Sequence, residues 1–295
     1  MTTEAVLYDE PGPKARRRIR IWTIVAGAAI VALLVVAVRR LAERDQFSME
    51  KWGPLISPAN EDFASVWRVI GEGLGNTIRA AVLAMLLSVV IGTIIAIGRL
   101  SLGRTGRIPL VGLVEFLRGV PVVVTIYFTS RVLPDFVETS GWIGGEQLWF
   151  LVIGLTLYNS VIFAEIVRAG VLSLPSGQRE AALAIGLTNA QTMRSVLLPQ
   201  AFRIMLPAII SQLVVVLKDT SLIAVVGNYE ELVGAGERLY IILGNPIQMF
   251  TVIAVIYIAI NYTLGRFAQF LEHRLSRSSK SAAVRVEQEA TTAGA

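Results

Sequence analysis

Apolar residues are gathered in long runs, each bounded by charged or glycine- and proline-containing segments. A helix needs about 20 apolar residues to cross the hydrocarbon core of a bilayer. The chain has six runs of roughly this length, so we expect an all-α, polytopic helical membrane protein. The six predicted spans are 21–38, 76–98, 120–136 (preceded by an amphipathic stretch from 108), 148–167, 204–226 and 249–267.

The first run has two interpretations. Its basic flank is also typical of a cleaved signal peptide. However, Arg39 and Arg40 follow the run where a signal peptide would have a small-residue cleavage site, which favours a retained helix.

The segments between the runs suggest a division of the chain. The predicted units are a basic N-terminus (1–20), an additional transmembrane helix (21–38), a connector (39–74), the main transmembrane domain (75–275) and a disordered tail (276–295). The tail is small, polar and charged, with no apolar period.

The distribution of basic residues predicts the orientation. With six spans, both termini share one side, here called the basic side. It holds 17 of the 27 Lys and Arg residues, in segments 1–20, 99–107, 168–203 and the tail from 266. The opposite side holds six, and its loops are acidic. Because cytoplasmic loops are enriched in Lys and Arg, we expect the basic side, with both termini, to be cytoplasmic.

Composition supports a membrane location and excludes several functions. Hydrophobic residues make up 54% of the chain, charged residues 17%, and the mean hydropathy is +0.62. A pI near 9.7 would suit nucleic-acid binding, but the basic residues flank apolar runs, so we expect no nucleic-acid partner. Without cysteine and with one histidine, the chain lacks a disulfide framework or a Cys/His zinc site. No phosphate-binding loop is present, so we expect no cofactor.

The longest basic-side loop contains an ordered motif. It has Glu180-Ala181-Ala182, then Gly186, then Val196-Leu197-Leu198-Pro199. We expect a short helix containing Glu180, a turn, and a second helix capped by Thr188 or Asn189 that ends before Pro199. Ala182, Ile185 and Gly186 would suit docking into a groove of a partner protein. An ordinary amphipathic connector is the alternative.

This pattern resembles the EAA loop of ABC importer permeases, with Val196 where Ile is common. We therefore call residues 176–199 the EAA loop. In that family the loop forms a coupling helix that sits in a cleft of the ATP-hydrolysing subunit. The resemblance implies an ABC ATPase dimer that binds ATP, a second permease subunit (homologous or identical) and an extracytoplasmic substrate-binding protein. It assigns ATPase coupling to Glu180, Ala181, Ala182, Gly186, Leu198 and Pro199.

Further motifs are similar to the polar amino-acid subfamily, which serves histidine, glutamate, glutamine, arginine and opines. They are Glu115-Phe116-Leu117-Arg118-Gly119-Val120-Pro121, Ala164-Glu165-Ile166-Val167-Arg168-Ala169-Gly170, Leu198-Pro199-Gln200-Ala201 and Leu217-Lys218-Asp219-Thr220-Ser221-Leu222. The resemblance covers about 70–275 and implies a five-helix permease core with one extra N-terminal helix. The basic N-terminus and the 39–74 connector look like actinobacterial glutamate permeases.

Charged groups within spans need a partner or a role, because each costs about 2.5–3.5 kcal/mol on insertion scales. Glu165 and Arg168 are three residues apart on one helix, as are Glu115 and Arg118, so both are predicted to be structural ion pairs.

Lys218 and Asp219 lie deep in the fifth span and, being adjacent, point about 100° apart. We predict that they line a substrate path, with Thr220 and Ser221 supporting a local helix break. A purely structural role is the alternative. Asn159 is a weaker path candidate, because buried amides also join helices to one another.

Two function classes remain. The leading hypothesis is an ABC permease without its own catalysis that imports a polar amino acid through the cytoplasmic membrane. The alternative is an ion-coupled secondary transporter or channel that uses Glu165 or Asp219. A membrane-embedded enzyme is disfavoured, because no catalytic constellation is present. The EAA loop favours the permease, since a self-powered transporter does not need a docking helix.

Overall fold

The computed structural model describes residues 12–140, 147–227 and 229–293, with side chains at 12–133, 147–227, 229–271 and 274. All regular elements of these residues are helical, which confirms the all-α prediction. In chain order they are α1 (Pro13–Glu43), α2 (Met49–Ile56), α3 (Phe63–Ser101), α4 (Arg104–Gly119), α5 (Val122–Ser140), α6 (Gln147–Leu172), α7 (Ser176–Ala184), α8 (Asn189–Gln191), a π-helical segment (Thr192–Leu197), α9 (Leu198–Asp219), a 3-10 turn (Thr220–Leu222), α10 (Ile223–Val226), α11 (Leu232–Leu243) and α12 (Pro246–Ala293).

The described helices provide enough long apolar segments for the predicted membrane domain. α1, α3, α6, the 189–226 stretch and the first part of α12 are each long and apolar enough to cross a bilayer. α4 and the first part of α5 also meet this test together, but they are bent by 97°. Counted as one bent span, this pair brings the number to the six predicted from the sequence.

Pro121 lies at the bend between α4 and α5. Val120 is extended, with ψ of 127°, as expected for a residue before proline. The N–H of Val124 donates to the carbonyl of Pro121 at 2.9 Å, which starts the next helix in a new direction. The amphipathic stretch predicted before the third span is therefore a separate helix, α4.

The centre of the domain is the packing of α3 against α6. Small residues let the two backbones approach, and Gly92 lies at a point of close approach. A Cβ at Gly92 would lie 2.6 Å from the carbonyl oxygen of Ser160 and 2.6 Å from the Cβ of Phe163. Further along the same two helices, a buried cluster of residues 80–84 and 148–155 also includes residues of α5, α9 and α10.

The N-terminal part differs from the rest of the chain. No residue of α1 is buried. The predicted 39–74 connector is not irregular, since α2 and the start of α3 lie within it. α3 begins at Phe63 because Val66, Ile70 and Gly73 form a helical apolar face that packs into the protein.

At the other end, α12 continues to Ala293 and thus includes the segment from 276 that composition predicts to be disordered. The segment contains Ala, Arg, Glu and Gln, which favour helix, so it can extend a helix that has already formed.

Candidate functional site

The EAA loop folds into a compact unit at the ends of α3 and α6. α7 begins at Ser176 and packs against the π-helical segment that precedes α9. Two side-chain contacts hold the unit together. Gln200 Nε2 donates to Gln178 Oε1 at 3.2 Å, and Arg179 Nη2 donates to Asn189 Oδ1 at 3.2 Å.

Gly186 ends α7 in a left-handed conformation, with φ of +89°. The N–H of Gly186 donates to Leu183 at 3.0 Å, and the N–H of Leu187 donates to Ala182 at 3.2 Å. This pair of bonds is a Schellman motif, in which glycine is favoured because it carries no Cβ. Nothing lies within 4 Å of the position of a Cβ at Gly186, so the backbone conformation, and not crowding within the chain, requires glycine.

The second helix of the loop begins as predicted but does not end as predicted. Thr188 forms a capping box with Gln191. The helix then continues through the π-helical segment into α9, so the predicted end before Pro199 is wrong. Pro199 occupies the first turn of α9, where its missing N–H is tolerated, and the wider π turn before it accommodates the ring.

Some of the residues predicted to contact the ATPase are exposed on the surface of the EAA loop, and others are buried or half-buried. Glu180 and Ala181 are exposed, and Ile185 is 79% exposed. Ala182 is only 4% exposed, so the prediction that it docks into a partner is wrong. One face of a short helix must pack on the rest of the loop, and Ala182 is on that face. Leu198 is half-buried and Pro199 is exposed.

The predicted pair of Glu165 and Arg168 is present, and a third residue joins it. Arg168 Nε donates to Glu165 Oε2 at 2.9 Å. Arg99, at the end of α3, binds the other carboxylate oxygen of Glu165. Arg99 is 8% exposed, and its Nε has no hydrogen-bond partner. The three charges therefore connect α3 to α6 directly above the EAA loop.

The predicted pair of Glu115 and Arg118 is absent. Both side chains are exposed on α4, and no ion pair of the described residues joins them. Their spacing permits contact, but an exposed pair gains too little free energy to hold two long side chains together.

The helix break predicted beside Lys218 and Asp219 is present. α9 ends at Asp219, and a 3-10 turn covers Thr220–Leu222. Thr220 Oγ1 donates to the carbonyl of Leu217 and Ser221 Oγ to that of Lys218, both at 2.7 Å. Lys218 is exposed and Asp219 half-buried, and no described residue forms an ion pair with either. The ammonium of Lys218 is therefore exposed on this chain without an ion partner among the described residues.

Asn159 joins two helices and is fully buried. Its Nδ2 donates to the carbonyl of Leu155 at 2.9 Å, and its Oδ1 accepts from Gln212 Nε2 of α9 at 2.9 Å. This geometry supports the structural alternative over direct substrate contact. Gln212 is six residues before Lys218, so the backbone of Lys218 lies about 9 Å further along α9.

Glu231 forms a second buried polar network at the opposite end of the bundle. It caps α11, accepting from the N–H groups of Val233 and Gly234 at 2.9 Å each. Its Oε2 also accepts from Tyr257 of α12 at 3.2 Å and Thr77 of α3 at 3.5 Å. Burial raises the pKa of Glu231, while these bonds oppose the rise. One carboxyl group thus connects three helices.

The sequence analysis missed Arg99, Gln212 and the role of Glu231. Arg99 and Glu165 are 66 residues apart, and Gln212 and Asn159 are 53 apart, so no local spacing shows these contacts. Glu231 gave a usable signal, since an acidic residue is favoured at the N-terminus of a helix by the helix dipole.

A family model and several known proteins match the chain, and all of them are membrane components of transport systems. Residues 88–277 match the family model described as binding-protein-dependent transport system inner membrane component. The chain is 35% identical over 254 residues to the glutamate transport system permease protein GluD of Corynebacterium glutamicum, covering 84% of this chain and 89% of GluD. It is 32% identical over 219 residues to the glutamine transport system permease protein GlnP of Escherichia coli, covering 72% of this chain and 97% of GlnP.

A solved structure agrees with these relatives. A chain of an amino acid ABC transporter crystallised with histidines superposes with a TM-score of 0.62 at 26% identity, covering 72% of this chain and 96% of that chain.

Proposed function

Because the chain belongs to the binding-protein-dependent transport system inner membrane components, and among them to the polar amino-acid ABC permeases, we propose that it imports glutamate. One observation carries the choice of substrate. The similarity to GluD covers 84% of this chain at 35% identity, whereas that to GlnP covers 72% at 32% identity.

The EAA loop supplies the proposed contact with an ABC ATPase dimer. Glu180 and Ile185 lie on its outer surface, and an isoleucine that is 79% exposed next to a rigid turn is suited to a groove in a partner. The ATPase binds ATP, and this chain binds no cofactor of its own. Glu180, Ala181 and Gly186 make the contact, while Ala182, Leu198 and Pro199 support the loop.

The proposed substrate path passes Lys218 and Asp219. Lys218 is exposed on this chain, which in a membrane would put it against lipid unless another surface covers it. Since a charge facing lipid costs about 2.5–3.5 kcal/mol, we place it in a polar path at the contact with a second permease subunit, homologous or identical. An ammonium there favours an anionic substrate.

The same proposal includes the membrane location and orientation of the chain. It lies in the cytoplasmic membrane with the basic side and both termini in the cytoplasm. An extracytoplasmic substrate-binding protein delivers the amino acid to the opposite side, where α11 lies.

Reconstitution tests the substrate. The complete transporter is placed in proteoliposomes with ATP inside, and uptake is measured with its binding protein loaded with glutamate, aspartate, glutamine, histidine or arginine. We expect uptake and stimulated ATP hydrolysis to be greatest with glutamate. Greater uptake of a cationic or neutral amino acid would contradict glutamate while leaving the family assignment intact.

A further inference from the structure

A cavity of about 380 Å³ lies behind the EAA loop, between that loop and the ends of two spans. Leu100 and Ser101 are the last residues of α3, and Leu172 is the last residue of α6. The opposite wall comes from the loop itself. The volume is within the about 300–1,000 Å³ typical of ligand pockets.

The two walls of the cavity differ in chemistry. Its polar side contains Ser176, Arg179, Asn189 and Thr192. Thr192 is 1% exposed, and its buried hydroxyl oxygen has no hydrogen-bond partner. The apolar side includes Leu100, Leu172 and Leu174. A ligand that fits both sides has a polar head and an apolar body.

Arg179 indicates that the polar head of the ligand is an anion. The guanidinium donates one hydrogen bond, to Asn189 Oδ1, and forms no ion pair among the described residues. The neighbouring acid, Glu180, does not line the cavity. The remaining N–H groups of Arg179 therefore suit an anion, and a guanidinium matches the geometry of a phosphate.

The position of the cavity indicates where such a ligand comes from. Leu172 is 60% exposed, so the apolar wall continues onto the outer surface of the bundle at the end of a span. This is the level at which the lipid headgroups of the leaflet on the basic side would lie. We propose that the cavity binds the phosphate headgroup of an anionic phospholipid through Arg179, with Asn189 and Thr192 as further partners and an acyl chain along Leu100 and Leu172.

A bound headgroup would have a mechanical consequence. The cavity separates α7 from the ends of α3 and α6, so an occupied site fixes the distance between the EAA loop and the spans. This consequence rests on the proposed function, but binding of the lipid does not, and the experiment measures binding.

The test uses the full chain, purified in its transporter complex and placed in lipid nanodiscs of phosphatidylcholine with or without phosphatidylglycerol. Native mass spectrometry after detergent release measures the phosphatidylglycerol that is retained. Arg179→Gln is expected to lower retention about tenfold, as for the loss of one charge-assisted hydrogen bond. Arg179→Lys, which keeps the charge, is expected to restore much of it.

Arg194→Gln is the matched control, because Arg194 is an exposed arginine of the same loop that does not line the cavity. Retention in this variant should equal that of the wild type. Equal losses in the Arg179 and Arg194 variants would show general surface attraction and overturn the site. So would wild-type retention in Arg179→Gln.

A second arm separates a lipid from a free anion. Inorganic phosphate is added to nanodiscs of phosphatidylcholine alone, and the melting temperature is followed. We expect stabilisation by phosphatidylglycerol and none by phosphate. If phosphate stabilises the wild type but not Arg179→Gln, the site takes a free anion and the lipid proposal is wrong.

Discussion

Arg99, the third residue from the end of α3, forms an ion pair with Glu165 of α6, across the interface where Gly92 brings the two helices together. Glu165 also binds Arg168, so one carboxylate balances two cations. A buried charge that loses its partner is costly, whereas removing both partners often is not. The interface above the EAA loop therefore depends on Glu165.

Glu165→Gln is expected to destabilise the protein by at most about 3 kcal/mol, the lower end of the range for breaking a buried ion pair, because Arg99 is left without a counter-charge but the Glu165 side chain is 24% exposed. Thermal unfolding of the purified protein in detergent would show the loss. Glu115→Gln is the control, since Glu115 is exposed and unpaired, and its unfolding temperature should not change. The double variant Arg99→Gln/Glu165→Gln should recover part of the loss. A double variant less stable than the single one would contradict this account.

The membrane orientation can be tested by cysteine labelling, because the natural chain contains no cysteine. We expect a membrane-impermeant maleimide added to intact cells to label a cysteine at position 237, on the acidic side. Position 179, on the basic side, should be labelled only after the membrane is opened. Labelling at 179 in intact cells would reverse the proposed topology.

Substitutions of Gly186 can distinguish two roles of this residue: maintaining the conformation of the turn and contacting the ATPase. Gly186→Ala forces a side chain into the left-handed region at a cost of about 1–2 kcal/mol, and Gly186→Asn is better tolerated there. If transport depends only on the conformation of the turn, the Gly186→Asn variant should transport nearly normally and the Gly186→Ala variant should not. If the partner approaches closely, as we propose, both should reach the membrane and both should fail to couple ATP hydrolysis to substrate.

Gly177→Ala provides the control for these variants. Gly177 lies in the first turn of α7, has no positive φ, and a Cβ there would meet nothing within 4 Å. Transport by this variant should be normal. Normal coupling in both Gly186 variants would remove Gly186 from the proposed ATPase contact.

The sequence was most informative where a pattern is local. Long apolar runs predicted the spans, Thr188 predicted a cap, and Thr220 and Ser221 predicted a helix break. Each of these depends on residues only a few positions apart. The inward position of Ala182 and the ion pair between Arg99 and Glu165 depend on how distant helices pack, and neither spacing nor composition contains that information. The missing pair of Glu115 and Arg118 shows that helical spacing permits a contact without requiring it.

Glu231→Ala should loosen the end of the bundle that contains α11. The substitution removes an N-cap and leaves the buried hydroxyl of Thr77 and the half-buried hydroxyl of Tyr257 with fewer partners, so we expect a loss of about 2–4 kcal/mol. Glu231→Gln keeps an acceptor oxygen and should cost less. Thermal unfolding compares them with Glu230→Ala, since the side chain of Glu230 forms an exposed pair with Arg238. Equal effects at the two neighbouring glutamates would contradict the network.

The last prediction concerns Lys218. Lys218→Met should leave the amount of transporter in the membrane and its basal ATP hydrolysis largely unchanged, because the ammonium has no ion partner to lose among the described residues. Uptake should nevertheless collapse if the ammonium meets the substrate. A structural role predicts a different result, in which the amount of the subunit in the membrane falls. Measuring subunit abundance and uptake on the same membranes distinguishes the two.

Two further variants make this test specific. Lys218→Arg keeps a cation and should retain part of the uptake. Arg79→Met removes another exposed cation, from α3, and should transport normally. If Lys218→Met transports at the wild-type rate, Lys218 is not in the path. The exposed polar residue one helical repeat earlier on the same face of α9, Ser211, is then the next position to test, because Asn159 is buried and already bonded to Gln212.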